Sequence, residues 1–178
     1  MNLLTKTRLL NNQPNKLLKL PPIIRQINNI INENNFTLNF DGCCKGNPGP
    51  SGIGVVIYNN GTEIFSKSKY IGDQTNNQSE YNALILGLQC ALKLNITDIS
   101  VFGDSLLVIQ QTNGVFRVKN EKLIPLYETI NDLKTKFNSI TFKHVYRDQN
   151  KRADKLANIG LENNQYKSDY ELGIVEID

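Results

Sequence analysis

Four acidic residues, Asp41, Glu80, Asp104 and Asp154, stand where regular segments of the chain begin or end. Each has an ordinary structural reading: Asp41 as an Asp-Gly turn residue, Glu80 as half-exposed helix surface, Asp104 as a helix cap. Brought to one place, the four would repel one another, and a fold tolerates that best when a cation neutralises them. Carboxylate oxygens without an accompanying Cys/His set favour a hard ion, Mg²⁺ or Mn²⁺, over zinc. A carboxylate-rich centre for two such ions, ~4 Å apart, suits in-line hydrolysis of a phosphodiester.

The elements that must carry these acids are legible from periodicity. Phe36, Leu38 and Phe40 alternate with polar residues in a strand that ends at Asp41. A second strand runs from Ile53 to Tyr58, and Asn59-Asn60-Gly61 turns it into a third from Thr62 to Tyr70. The Gly/Pro stretch between the first two is no nucleotide loop. Gly46 is followed by Asn47 rather than the Lys-Ser/Thr of a phosphate loop, and a strand rather than a helix follows the glycines.

Thr75 and Gln78 have the spacing of a capping box, so a helix starts there, with Tyr81, Leu84, Ile85, Leu88 and Leu92 as its apolar stripe and Glu80 in its second turn. A fourth strand, Ile99 to Phe102, runs into Gly103-Asp104-Ser105 and a short helix from Leu106 to about Gln111. Lys119 to Phe137 reads as another helix, with Pro125 early in it. Ile140 to Tyr146 is a fifth strand, and Asn150 to Leu161 a last helix that carries Asp154. The expected class is α/β: a five-stranded mixed β-sheet flanked by α-helices.

With 178 residues the chain has room for one core and a short extension. Its net charge of +3 does not by itself mark a nucleic-acid binder. Residues 1–35 form a basic, Asn- and Leu-rich extension in which Ile23, Ile24, Ile27, Ile30 and Ile31 fall at helical spacing, a short amphipathic helix suited to docking on a domain surface. The segment is acid-poor like a mitochondrial presequence but has no Ser, which argues against targeting. Three cysteines, two of them adjacent, suit free thiols in a reducing compartment. No apolar run reaches membrane-spanning length. The expectation is therefore a soluble intracellular protein, cytoplasmic or nuclear, with a mitochondrial address as the weaker alternative. Residues 162–178 read as a polar and then extended tail, its Ile174, Val175 and Ile177 laid on the surface.

Over residues 36–161 the sequence resembles type 1 ribonuclease H. The resemblance rests on Asp41-Gly42 with Gly46-Asn47-Pro48-Gly49-Pro50 and Gly52-Ile53-Gly54; on Thr75-Asn76-Asn77 with Glu80; on Gly103-Asp104-Ser105; and on His144-Val145-Tyr146-Arg147 with Asn150-Lys151-Arg152-Ala153-Asp154. One such motif is weak, whereas four in this order and spacing are specific. The absence of a Trp- and Lys-rich insert around residues 112–120 is similar to the compact archaeal and plant branch.

The resemblance implies a ribonuclease H-like fold and endonucleolytic cleavage of the RNA strand of an RNA/DNA hybrid, leaving 5′-phosphate and 3′-hydroxyl ends. It implies two Mg²⁺ ions, for which Mn²⁺ can substitute, with Asp41 bridging them, Glu80 and Asp104 on one side and Asp154 on the other. Gly42, Asn47, Thr75, Asn76 and Asn77 are placed by the resemblance against nucleic acid. Lys119 joins them as a substitute for the missing basic insert, with Lys122, Arg117 and the basic N-terminal segment as further candidates. Arg147 is expected to assist metal or product handling, whereas His144 is expected to pack within the fifth strand beside Phe142 and Tyr146. The expected state is a monomer, and double-stranded RNA is a further candidate substrate. Two other readings share parts of this pattern: a catalytically silent hybrid- or RNA-binding module of the reverse-transcriptase type, and a related nuclease or integrase acting on DNA. The complete set of acids argues against the first, since clustered negative charge hinders nucleic-acid binding. The Thr-Asn-Asn segment and the Gly-Asn-Pro-Gly loop argue against the second.

Overall fold

A computed structural model describes residues 35–163 and the backbone of residues 170–173. The expectations for residues 1–34 and for Ile174, Val175 and Ile177 lie outside the described residues. The elements run β1 (Phe36–Cys44), β2 (Gly49–Asn59), β3 (Thr62–Gln74), α1 (Asn76–Lys93), β4 (Asp98–Gly103), α2 (Leu106–Thr112), α3 (Ile124–Lys134), β5 (Ser139–His144), α4 (Lys151–Glu162) and β6 (Tyr170–Gly173). A short 3₁₀ turn, Arg147–Gln149, leads into α4.

The sheet has the order β5-β4-β1-β2-β3-β6. The pairs β1–β2, β2–β3 and β3–β6 are antiparallel, while β1–β4 and β4–β5 are parallel. The five expected strands therefore form the expected mixed sheet. The C-terminal stretch departs from its reading as a surface tail, because Tyr170–Gly173 adds a sixth strand along Phe65–Ser68 of β3. The hydrogen-bonding edge that β3 would otherwise leave open accounts for this.

Strand alternation sends residues to two layers. Leu38, Phe40, Val55 and Ile57 join Ala83, Leu84 and Leu88 of α1 in the larger core, whereas Val56 on the opposite face packs with Ala153 and Leu156 of α4. Covered on both sides, β2 is buried at seven consecutive positions from Ser51 to Ile57. Gly54 lets α4 come close, since a Cβ there would fall on the backbone of Ala153 and Ala157.

Several boundaries differ from the periodic reading. Strand pairing continues through Cys43↔Gly52 and Cys44↔Ser51, and Lys45 N–H bonds Pro50 O at 2.8 Å, so much of the Gly/Pro stretch is sheet. Helix α3 covers Ile124–Lys134 rather than Lys119 to Phe137. Pro125 sits in its first turn, where a missing N–H costs nothing, and the preceding residues form a turn in which Lys122 N–H bonds Asn120 Oδ1. Leu123 and Phe137 are buried all the same, which gave the longer helical pattern its apolar ends. Strand β5 stops at His144, two residues early, where the chain turns toward α4.

A buried polar link ties α1 to α2 and to the connection after it. Tyr81 O–H donates to Gln111 Oε1 at 2.8 Å, and Gln111 Nε2 donates to Arg117 O at 3.3 Å. Burial pushes the Tyr81 phenol up to about 12. Tyr81→Phe would leave the buried Gln111 oxygen without its donor, at a cost of roughly 1–3 kcal/mol. Thermal unfolding should show a melting temperature lower by roughly 2–4 °C per kcal/mol lost, and an unchanged value would refute this role.

Candidate active site

Beyond the Asn39↔Phe102 pair the parallel strands β1 and β4 separate, and their carboxyl ends deliver Asp41 and Asp104 to the same gap. A crevice at the carboxyl ends of strands, where the sheet changes direction, is where α/β folds place ligands. The third acid arrives from α1. Its start is set by the expected capping box: Thr75 Oγ1 accepts from Gln78 N–H, and the Gln78 side chain accepts from Thr75 N–H at 3.0 Å. Glu80 is then brought against β1 because Gly42 has no side chain; a Cβ there would fall on the backbone of Ser79 and Glu80.

The result is a cluster in which Asp41, Glu80 and Asp104 each offer an oxygen within 4.8 Å of the other two. Asp41 is 5 % and Glu80 6 % exposed, so the reading of Glu80 as half-exposed surface fails. Nor is Asp104 a helix cap: Ser105 takes that position on α2, accepting from Val108 N–H, which leaves the Asp104 carboxylate for the gap. The three acids lie in a cleft of ≈ 550 Å³ lined also by Gly42, Lys45, Asn76, Ser105 and Arg147.

Asp154 is set apart from this trio. Its Oδ1 accepts from Arg147 Nη2 at 2.6 Å, and its Oδ2 from Asn158 Nδ2 at 3.3 Å. Its charge is still felt at Asp41. Burial pushes the Asp41 carboxyl up to about 8, helped by repulsion from Asp104 and Asp154 and opposed by Arg147 and the Gly42 N–H. Glu80 is held well above the usual carboxylate range by burial first, then by Asp41 and Asp104.

The other expected site residues are distributed around this floor. Asn47 Oδ1 accepts from Asn76 N–H at 3.1 Å, which fastens the β1–β2 loop to the start of α1. Asn76 and Asn77 are exposed there, beside the half-buried Thr75. Lys119 is exposed on the α2–α3 connection and does not line the cleft. His144 differs from its reading as a packed strand residue: it is exposed at the end of β5, with Nε2 3.2 Å from Asp104 O and its ring edge-on to Tyr146. Phe142, two residues earlier, is buried, but the strand ends before another element can cover His144. Sequence reasoning missed Asn150 as a side chain of the site. It is 1 % exposed and bonded to Asp104, and the available signal was its place four residues before Asp154 at the start of a helix.

The family model described as Reverse transcriptase-like matches residues 39–160. Ribonuclease HI of Halobacterium salinarum is 39 % identical over 124 residues, which cover 69 % of this chain and 62 % of that protein. The chain belongs to the ribonuclease H family. Bifunctional protein Rv2228c of Mycobacterium tuberculosis is 40 % identical over 124 residues, 68 % of this chain; the matched part spans about a third (34 %) of that protein's length. The crystal structure of LC11-RNase H1 in complex with RNA/DNA hybrid superposes with a TM-score of 0.69 at 35 % identity, covering 73 % of this chain and 99 % of that one.

A divalent cation, which ribonucleases H use, fits the residues present. Glu80 Oε2 is buried without a hydrogen-bond partner, and a cation at this position would satisfy that orphaned oxygen. The three donors are all carboxylate oxygens, with no Cys or His joining them among the described residues, which suits Mg²⁺ or Mn²⁺.

The raised acids have a consequence for pH. Between the ordinary value of 3.8 and about 8, folded Asp41 keeps a proton that the unfolded chain has lost. The folded state binds more protons over that interval, so in chelator its stability should fall as pH rises from ~4 to ~8. A bound divalent ion displaces those protons, so its stabilising effect should grow over the same range. Melting curves with Mg²⁺ and with chelator at pH 6 and 8.5 check this; an equal Mg²⁺ effect at both would contradict it.

Proposed function

We propose that this chain is a metal-dependent endonuclease that cuts the RNA strand of RNA/DNA hybrids and leaves 5′-phosphate and 3′-hydroxyl ends. The observation that carries the reading is the trio Asp41, Glu80 and Asp104 at the floor of an open cleft, with one Glu80 oxygen unpaired. A silent binding module would have no use for this arrangement. Burying clustered negative charge weakens binding to a polyanion, and burial with repulsion already holds two of these acids far from their ordinary ionisation.

In this reading Asp41, Glu80 and Asp104 hold one Mg²⁺ ion, and Asp41 with Asp154 holds a second. Bound there, the ions supply the positive charge that activates a water and stabilises the departing 3′ oxygen. The protein's own part is positioning. Asp41 sits within β1, Asp104 directly after β4, and Glu80 and Asp154 on helices, elements rigid enough to keep the donors in place. Arg147, with a side chain 78 % exposed, occupies Asp154 and so keeps the fourth carboxylate neutralised. A phosphate entering the cleft offers that guanidinium a competing anionic partner and thereby frees Asp154.

Around the floor, the polar start of α1 with Asn76 and Asn77, and the loop that Asn47 fastens to it, give hydrogen-bond donors for phosphates and 2′-hydroxyls. Lys45 beside the cleft adds positive charge. Lys119, Lys122 and Arg117 on the α2–α3 connection are the basic groups assigned to a longer duplex. The chain acts as a monomer inside the cell, where its substrate forms.

Cleavage of four labelled duplexes of one sequence tests this: hybrid labelled on RNA, hybrid labelled on DNA, double-stranded RNA and double-stranded DNA, each with Mg²⁺ and with chelator. Cutting of the hybrid's RNA strand in Mg²⁺ alone is expected, and the double-stranded RNA arm decides whether that duplex is also a substrate. Asp41→Asn and Asp154→Asn should each abolish cutting while hybrid binding in Ca²⁺ stays within about threefold, since in this reading the removed carboxylate serves to hold a metal ion for the reaction rather than to bind the duplex. Near-normal turnover by either variant would overturn the metal assignment.

A further inference from the structure

Asn150 occupies the N-cap position of α4, yet its side chain makes no cap hydrogen bond. An Asn at that position ordinarily accepts from a backbone N–H of the helix's first turn. Here the amide is turned inward, almost fully buried, and engaged on both sides. Nδ2 donates to Phe40 O at 2.8 Å and to Asp104 Oδ1 at 3.2 Å, while Oδ1 accepts from Asn39 Nδ2 at 3.1 Å. The carbonyl and the carboxylate can only accept, so their placement fixes which end of the amide is nitrogen.

The backbone of the same residue is used as well. Asn150 O accepts from Asp154 N–H at 3.1 Å, and Asn150 N–H donates to Arg147 O at 3.1 Å. One residue therefore touches the strand residue before Asp41, the carboxylate of Asp104, the helical turn that carries Asp154, and the turn that carries Arg147. Ser offers one donor, Ala none, and a charged Asp would set a further negative group against Asp104. Among small side chains, two N–H donors and a carbonyl acceptor are the property of Asn.

We infer that Asn150 is a positioning residue for the metal centre: its amide fixes the Asp104 carboxylate and thereby sets the affinity of the carboxylate cluster for a divalent ion. Residues that hold metal ligands by hydrogen bonds commonly change metal affinity or activity by 10–100-fold when lost. The tether restricts rotation of the Asp104 carboxylate and draws on its charge, and both determine how it receives a cation. The catalytic consequence rests on the proposed hybrid cleavage; the metal affinity does not.

The test measures Mg²⁺ binding to the full chain by calorimetry without nucleic acid, together with kcat and KM on the RNA/DNA hybrid across Mg²⁺ concentrations. Asn150→Ser keeps one donor and is itself a good N-cap, so it guards against the chance that Asn150→Ala does not fold. Both should bind Mg²⁺ about 10–100-fold more weakly and need correspondingly more Mg²⁺ for activity, with KM for the hybrid within about threefold. Asn39→Ala, which removes only the partner on the amide's oxygen side, should bind Mg²⁺ within about threefold of the parent chain. In an Asp104→Asn background, Asn150→Ser should cost little further Mg²⁺ affinity, because the group it acts through is gone. A folded Asn150→Ser chain with unchanged Mg²⁺ affinity would overturn the inference, as would effects that simply add with those of Asp104→Asn. If the parent chain binds Mg²⁺ in this pattern but cuts no duplex, the functional reading fails while the positioning role stands.

Discussion

Three carboxylate oxygens held within 4.8 Å of one another, two of them on nearly buried side chains, repel in a place where water screens them poorly. The penalty for taking an ionised carboxylate out of water is several kcal/mol even after the protein relaxes. Without a cation the acids answer by keeping protons, which is why Asp41 rises to about 8 and Glu80 moves in the same direction. The Gly42 N–H and the Arg147 guanidinium oppose that rise without cancelling it. The remainder of the fold can be understood as the framework that keeps these oxygens together against their repulsion.

That framework draws on both layers of the molecule. Asp41 and Asp104 come from neighbouring parallel strands, a pairing that an antiparallel meander alone would not supply; the crossover through α1 is what returns β4 alongside β1. Glu80 comes from the helix on one face and Asp154 from the helix on the other. Close backbone contact makes each approach possible: at Gly42 for α1 and at Gly54 for α4. A methyl group at either position would meet backbone, which cannot rotate away as a side chain can. These glycines therefore belong to the site's geometry although neither carries a chemical group.

Much of this was legible before the structure. Alternation marked the strands, the Thr75 and Gln78 spacing marked the start of α1, and the four acids in their motifs marked the family. Part of what escaped depends on contacts between residues distant in sequence, and part on where an element stops. The Gly/Pro stretch is sheet because Gly49 and Pro50 pair with Gln74 and Asp73 of β3, which local propensity for turns does not reveal. Pro125 and a side-chain-bonded turn at Asn120 shortened α3 although its apolar pattern continued on both sides. His144 lost its expected cover because the strand ended, and an end is decided by where the chain must go next. Asn150 had no periodicity to betray it, since its partners Asn39, Phe40 and Asp104 are 46 to 111 residues away.

The separation of Asp154 from the other three acids is the part of the site that sequence spacing was least able to convey. Four equivalent carboxylates in one cluster would carry still greater repulsion, and the fold avoids this by giving the fourth its own counter-ion. The Arg147–Asp154 pair is short at 2.6 Å, but Arg147 is mostly in water, and exposed pairs of this kind contribute only about 0.2–1 kcal/mol. Such a contact neutralises Asp154 without committing it. In the trio, by contrast, Asp104 is held by the neutral amide of Asn150 and one oxygen of the buried Glu80 has no hydrogen-bond partner. Charge is thus graded across the cleft: a floor that demands a cation, and a rim where a weakly held arginine can exchange one anionic partner for another.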